Sequence, residues 1–422
     1  MQSRIVDIAV VGGGPAGLSA AVAAWEEGVR DILVIDRDHE LGGILNQCVH
    51  PGFGLHLFQK EMTGPEYAEL YIEKVRERGI PTLLNTMVLE VTKDRRIFAI
   101  NPQEGLLEIK AGAIILAMGC RERPRGGIPG SRPAGIFTAG LAQRLVNIEG
   151  YLPGKEIVIL GAGDIGMIMA RRMTLEGAKV KAVLEILPYP SGLKRNVAQC
   201  LNDFDIPLLL QHTITAIHGK ERVEGVTICR VNEQGEPLPE TAQDVSCDTL
   251  LLSIGLIPET ELCHTAEIEL DPVTNGPVVD ESMMTTIPGI FGCGNVVHVH
   301  DVVDFVTMEG ERAGAGAARY VQGRKGEEQS RHLRFTAGRN VRYVVPQFAD
   351  PTGVEEITVS FRVKDVERNV WAKVSVDGKQ LKRKKLRIAL PSEMIRIDLD
   401  PEVLSTIAPG SAVEVAMEEE VV

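Results

Sequence analysis

Aromatic side chains are scarce in this chain, at 4% of its 422 residues, so its cores must be built from Val, Ile, Leu and Ala. No apolar stretch is long enough to cross a bilayer as a helix. Basic residues are outnumbered, 45 Lys and Arg against 58 Asp and Glu, which leaves a net charge of −13. That balance argues against a nucleic-acid binder and against docking on anionic lipid. The one dense basic run, KRKK at 382–385, follows an Asp377-Gly378 turn and reads as a solvated hairpin face. Seven cysteines stand at 48, 120, 200, 229, 247, 263 and 293, and none forms a Cys-x-x-Cys pair. This usage argues against a disulfide framework or a zinc site and fits a reducing compartment, so a cytoplasmic location is expected. The apolar N-terminal run carries a glycine turn and is read as part of the fold, not as a leader.

Glycine, by contrast, is abundant at 43 residues, and the apolar fraction of 44% over this length suits two to four domains. Residues 11–17 read VGGGPAG and residues 160–166 read LGAGDIG. Each follows a β-branched run, DIAVV at 7–11 and EIVIL at 156–160. Each also has an acid 24 residues beyond its first glycine, Asp36 after Gly12 and Glu185 after Gly161. One Gly-x-Gly-x-x-Gly is weak evidence, but two copies with strand, helix and matched acid indicate two dinucleotide sites.

The chemistry explains the residue types. A dinucleotide carries a doubly negative pyrophosphate, and a helix N-terminus meets it with unpaired N–H groups and a partial positive charge. Gly12 permits the tight turn, Gly14 keeps a Cβ out of the phosphate's path, and Gly17 lets the helix pack on the strand, with Pro15 and Ala16 opening that helix. Gly161, Gly163 and Gly166 repeat these roles around Asp164 and Ile165. Asp36 and Glu185 are placed to accept from ribose hydroxyls. A carboxylate there repels a 2′-phosphate, and ILPYPSG after Glu185 has no arginine to hold one, so NADH is expected over NADPH. The plain alternatives are glycine turns without ligand and surface acids ending a strand.

The fold class expected is α/β, with two Rossmann-like dinucleotide-binding domains and a small C-terminal all-β domain. Strands are predicted over 5–11, 32–36 and 113–119, helices over 15–28 and 64–78, and short strands over 82–85, 87–92, 96–100 and 106–110. From about 335, ITVSFRV, VWAKVSV and MIRIDL alternate at period two, and the acidic EEE near the end reads as a frayed tail.

The motif set resembles the two-dinucleotide flavoprotein reductases of the pyridine nucleotide–disulfide oxidoreductase superfamily, thioredoxin-reductase-like but without the redox cysteine pair. AIILAMGCRERP at 113–124 is similar to its crossover, with Ala117, Met118 and Gly119 where Ala-Thr-Gly is usual. SIGLIP at 253–258, with Ile254 and Gly255, is similar to the return crossover. TTIPGIFGCGNV at 285–296 is similar to the flavin-ribityl motif but ends Gly294-Asn295 in place of Gly-Asp. An Asn oxygen can accept from a ribityl hydroxyl but carries no charge, which puts FAD affinity in question. The resemblance implies an FAD domain over 1–120 and 255–330, an inserted NAD domain over 121–254 and a β domain over 335–422. It implies FAD contacts at the first turn and at Asp36, Arg37, Gly43, Val88, Ala117, Met118, Gly119, Gly294, Asn295 and Val303, and NAD contacts at the second turn, Glu185, Ile254 and Gly255. Val303-Asp304 opens a helix whose first N–H groups, by resemblance, face the pyrimidine side of the flavin; an ordinary helix start is the alternative.

DRDHELGGILNQCVHPGFGL at 36–55 has a narrower resemblance, to the flavoprotein accompanying anaerobic glycerol-3-phosphate dehydrogenases and to FAD subunits of opine-type and cyanide-forming amine dehydrogenases. That implies a redox partner in the form of a dehydrogenase subunit, and it leaves room for an oligomer. The same resemblance puts Cys48 near the isoalloxazine, where it is either a thiol cycling through sulfenic acid or a packed thiol. His50 is either a proton relay or a loop histidine bonded to backbone. His298 and His300, with Asp301 and Asp304, invite a metal reading, but structural or flavin-proximal histidines are expected and no metal. The expected function is an FAD-dependent NAD(P)H oxidoreductase moving electrons between NAD(H) and a second, protein-bound partner. A stand-alone NADH oxidase or peroxidase using Cys48, and an electron-transfer subunit with no turnover alone, are the alternatives.

Overall fold

The computed structural model describes residues 2–124, 127–323, 333–350, 356–404, 407–408 and 410–419. The chain divides into two compact units, Met1–Cys120 with Pro258–Val422, and Arg121–Ile257. The expected boundary between 330 and 335 falls at residues 324–332, outside the described residues.

In the first unit, strand β1 (Gln2–Val11) leads through a glycine turn into helix α1 (Pro15–Glu26) and back to strand β2 (Ile32–Ile35). Ile8, Ala9 and Val10 have no exposed surface, because β1 lies between parallel neighbours with both faces covered. One neighbour is β2 and the other is β3 (Gly105–Leu116). The strands expected at 106–110 and 113–119 are one strand. Ala111 and Gly112, read as a break, continue it, and Gly112 packs where a Cβ would lie 2.8 Å from Asp7 O. Arg96–Asn101 and Met87–Val91 extend the sheet antiparallel beyond β3. Helix Gly64–Glu77 starts at a capping box in which Thr63 and Glu66 satisfy each other's backbone N–H groups.

The second unit repeats the pattern with strand β4 (Glu156–Leu160), helix α2 (Asp164–Leu175), strand β5 (Lys179–Glu185) and strand β6 (Thr249–Leu252). β4 is central here too, paired in parallel with β5 and β6. A separate antiparallel sheet is made by His212–His218, Gly225–Arg230 and Gln243–Ser246.

On return to the first unit, Ile290–Gly292 adds a parallel strand beside β3 and leads to helix α3 (Val303–Val321). α3 lies tightly on α1, since a Cβ on Gly310 or Gly314 would fall 2.3 Å from Ala16 O or 2.1 Å from Ala20 O. The C-terminal strands, among them β7 (Val341–Val345), β8 (Ile357–Val363), β9 (Glu367–Val376), β10 (Lys379–Ala389) and β11 (Ile395–Leu399), form two sheets around their own apolar core. β8 departs from the expected alternation. It is the middle of three strands, and Thr358 and Ser360 are buried along with Ile357, Val359 and Phe361. The β9–β10 hairpin turns at Asp377 and Gly378, both at positive φ. Its basic run is more than a solvated face, because Arg383 stacks over Trp371 at 4.2 Å and Lys382 pairs with Asp400 at 2.7 Å. The expected frayed end is strand as far as Glu419, which pairs with Val370, and Glu420 lies outside the described residues.

Candidate functional site

The first glycine turn is shaped by close approaches. Gly12 has φ 110°, and a Cβ there would fall 2.3 Å from Ala117 O; a Cβ on Gly17 would fall 1.8 Å from Gly12 O. Ala117 N–H donates to Val11 O at 2.8 Å, which brings Ala117, Met118 and Gly119 to the same edge. Gly14 is different, since nothing lies within 4 Å of its Cβ position. Pro15 follows at the helix start, Ala16 is buried, and α1 has no acid in its first turn. The result is an open, anion-ready helix N-terminus that fits a pyrophosphate. Asp36 accepts from Gly13 N–H and from Asp38 N–H at 2.7 Å. Gly43 packs against Gly14, Val88 is buried in Met87–Val91 and Arg37 is exposed. Gly294 closes the arrangement, because a Cβ on it would lie 2.9 Å from Ala16 Cβ.

The second turn repeats the framework with Gly161 at φ 103° against Ser253 O and Gly166 against Gly161 O. Ile165 is partly buried in α2, and Ile254 and Gly255 follow β6. Its acid is more heavily engaged. Glu185 accepts from Ala162 N–H at 3.0 Å, Ser191 Oγ at 2.7 Å and Leu187 N–H at 3.2 Å, and is 4% exposed. Asp164 accepts from Leu193 N–H at 2.7 Å and Asn196 Nδ2 at 2.6 Å, and Ser191 Oγ lies 3.8 Å from a Cβ position on Gly163. The segment 187–193 therefore packs beside the turn, where no sequence motif signalled Ser191.

The segment after Gly294 holds a buried polar cluster. Glu309 accepts from Gly294 N–H at 2.8 Å and from His298 Nε2 at 2.9 Å, and it pairs with His300 Nε2 at 3.4 Å. Burial pushes the Glu309 pKa up, but the two histidines outweigh it and hold the carboxyl well below its usual range. Asn295 Oδ1 accepts from His300 N–H at 2.9 Å and keeps a second lone pair, while its Nδ2 points to Cys120 Sγ at 3.6 Å. Asp301 pairs with Arg362 of β8 and accepts from Met394 N–H at 2.6 Å. Asp304, just inside α3 after Val303, is fully buried and accepts from Gly54 N–H at 3.3 Å and Leu57 N–H at 3.0 Å. The histidine pair and Asp304 thus have structural partners, and Asp301 and Asp304 are not drawn into the cluster with Glu309.

Cys48 donates to Ile44 O at 3.3 Å, and burial pushes its thiol up to about 12. That opposes a resting thiolate, the form that reacts as a nucleophile. His50 Nδ1 lies 3.1 Å from Pro51 O, and its ring packs against Phe53. None of the seven cysteines is joined in a disulfide.

These two glycine turns belong with a sequence match over residues 6–317 to the Pyridine nucleotide-disulphide oxidoreductase family. The chain is a member of that family. As such it is an FAD-binding oxidoreductase that uses a nicotinamide dinucleotide. Among curated relatives, it is 28% identical to the glutamate synthase [NADPH] small chain of Halomonas elongata, over 74% of this chain and 68% of that one. It is 24% identical to an opine oxidase subunit of Agrobacterium tumefaciens, over 69% of this chain and 61% of that one. It is 26% identical to the hydrogen cyanide synthase subunit HcnB of Pseudomonas protegens, over 62% of this chain and 58% of that one. It thus spans about three fifths to two thirds of these relatives' lengths. In fold it is similar to the thioredoxin reductase of T. acidophilum, with TM-score 0.63 and 23% identity over 76% of this chain and all of that one. No helix among the described residues is long and apolar enough to cross a membrane.

Proposed function

We propose that this chain carries electrons between NAD(H) and a second, protein-bound donor or acceptor, as the flavoprotein subunit of a dehydrogenase system. In this reading FAD lies on the first turn and NAD(H) on the second. When bound, FAD would supply the two-electron redox chemistry. Gly14 and the start of α1 would hold its pyrophosphate, Asp36 would hold a ribose, and Asn295 would lie beside the ribityl chain with an oxygen lone pair to accept from it. Gly163 and Glu185 serve the nicotinamide dinucleotide in the same way. The observation that carries the reading is the contrast between an open Gly14 cradle and a Cys48 thiol pushed up to about 12. Together they support a flavin relay over a thiol mechanism at Cys48.

A glycerol-3-phosphate or related dehydrogenase is the partner we favour, in the cytoplasm. The subunit names of the opine oxidase and cyanide synthase relatives support a multi-component system. Native affinity purification from the source cells tests this. A dehydrogenase subunit should co-purify, and the complex should reduce NAD with that subunit's substrate. An isolated chain with full NADH oxidase or peroxidase turnover that Cys48→Ser abolishes would establish the competing thiol reading.

A further inference from the structure

The two modules close their glycine turns in the same way and differ at one side chain beside the acid. In each, the loop after the acid folds back and a glycine N–H donates to the turn, Gly42 to Gly13 O at 2.8 Å and Gly192 to Ala162 O at 3.0 Å. The residue before that glycine is Leu41 in the first module and Ser191 in the second. Leu41 brings only carbon, with its Cδ2 2.7 Å from a Cβ position on Gly13 that lies 3.0 Å from Asp36 Oδ2. Ser191 brings a hydroxyl, and its Oγ donates to Glu185 Oε2 at 2.7 Å.

That hydroxyl changes what each acid has left to offer. A carboxylate accepts at about four positions, two on each oxygen. On Asp36, Gly13 N–H fills one position of Oδ2 and Asp38 N–H one of Oδ1. One position per oxygen remains, which suits the two adjacent hydroxyls of a ribose. On Glu185, Ala162 N–H and Ser191 Oγ both fall on Oε2, and Leu187 N–H falls on Oε1. Among the described residues this leaves a single open position, on Oε1, for a ligand that brings two hydroxyls. Asp36 is half-buried, whereas Glu185 is 4% exposed.

The loop that carries Ser191 is fastened beyond it. Asp164, at the start of α2 where the first module has Pro15, accepts from Leu193 N–H at 2.7 Å and Asn196 Nδ2 at 2.6 Å. A Cβ on Gly192 would fall 2.7 Å from Asp164 N. The backbone therefore holds Ser191 over Glu185, and release of the carboxylate needs only a change of the serine rotamer.

We propose that Ser191 is an affinity-determining latch on the second turn, whose hydroxyl holds the Glu185 oxygen that the adenosine ribose needs and is displaced when the nucleotide binds. This rests on the reading that NAD(H) occupies the second turn. Displacement costs the chain a hydrogen bond to a carboxylate, so the second dinucleotide is held less tightly than the first. The difference suits their roles, since a nicotinamide dinucleotide leaves after each turnover and FAD stays. Leu41 puts no such competitor on Asp36.

The test uses the FAD-loaded protein and its Ser191→Ala variant. Calorimetric titration gives the Kd of NAD⁺ and of the NAD⁺ analogue that lacks the adenosine 2′-hydroxyl, and absorbance gives FAD per chain. Ser191→Ala should bind NAD⁺ about tenfold more tightly, the worth of one hydrogen bond to a charged group, with FAD per chain unchanged. The analogue brings one hydroxyl, which fits the open position on Oε1, so it should bind variant and wild type alike. If Ser191→Ala does not fold, Ser191→Cys carries the test, because a thiol of similar size is a weak donor. NAD⁺ binding that is unchanged or weaker in the variant would overturn the latch, and so would an equal gain for both ligands. NAD⁺ binding by neither protein would overturn the reading of the second turn, and the latch with it.

Discussion

Ser191 donates its hydroxyl to the Glu185 carboxylate at 2.7 Å, on the oxygen that also receives Ala162 N–H. The first module has the same backbone contact, Gly13 N–H to Asp36, with the same separation of 23 residues in each module. The acid therefore braces the glycine turn, and in the proposed reading it also faces the ribose. Glu185→Gln keeps the shape and removes the charge. A charge-assisted hydrogen bond contributes about 1.5–3 kcal/mol. The KM for NADH should rise about tenfold or more, and that for NADPH should change less. Steady-state kinetics with both nucleotides checks this.

Gly14 and Gly17 separate ligand binding from folding. Gly14 has φ −81° with empty space at its Cβ position, so Gly14→Ala should leave unfolding within about 0.5 kcal/mol of wild type, as for an unstrained substitution. It should nonetheless lose most of its FAD. Gly17→Ala meets Gly12 O and should destabilise the fold outright. Flavin absorbance and urea unfolding of the two variants make the comparison.

Buried thiols set an alkaline limit. Burial pushes Cys48 and Cys263 up to about 12 and Cys247 up to about 11, from an ordinary 9.0. These groups stay neutral in the folded chain while the unfolded chain ionises. Their contribution is complete below pH 9 and is lost as pH rises toward 12. Denaturant midpoints should fall above about pH 9, the thiols' unfolded pKa, and fall less in Cys263→Val. A midpoint flat with pH would count against this assignment.

Arg362 joins the C-terminal strands to the segment after the flavin motif. It pairs with Asp301 and also donates to Val299 O at 3.0 Å. Arg362→Met leaves the partly buried Asp301 without its cation, at a cost of at most about 3–5 kcal/mol. Urea unfolding should show that loss, and FAD content should drop with it.

The two βαβ modules were legible because their geometry forces a spacing: strand, turn and helix place the acid a fixed distance beyond the first glycine. The continuity of β3 through Ala111 and Gly112 was not legible, since small residues mark breaks as often as close approaches. β8 misled in a different way, because Thr358 and Ser360 look like a solvent face until a second layer covers them. Glu309 and Arg362 were invisible as site residues. Their partners come from other elements; Arg362 stands 61 residues from Asp301. The Asn295 amide could be oriented only once the His300 backbone was in place.

Anaerobic titration of the purified chain with NADH tests the central claim most directly. The account predicts a yellow protein with about one FAD per chain, bleached by about one equivalent of NADH, since each turn holds one dinucleotide. A chain that stays colourless after incubation with FAD, or a bound flavin that NADH does not reduce, would contradict it.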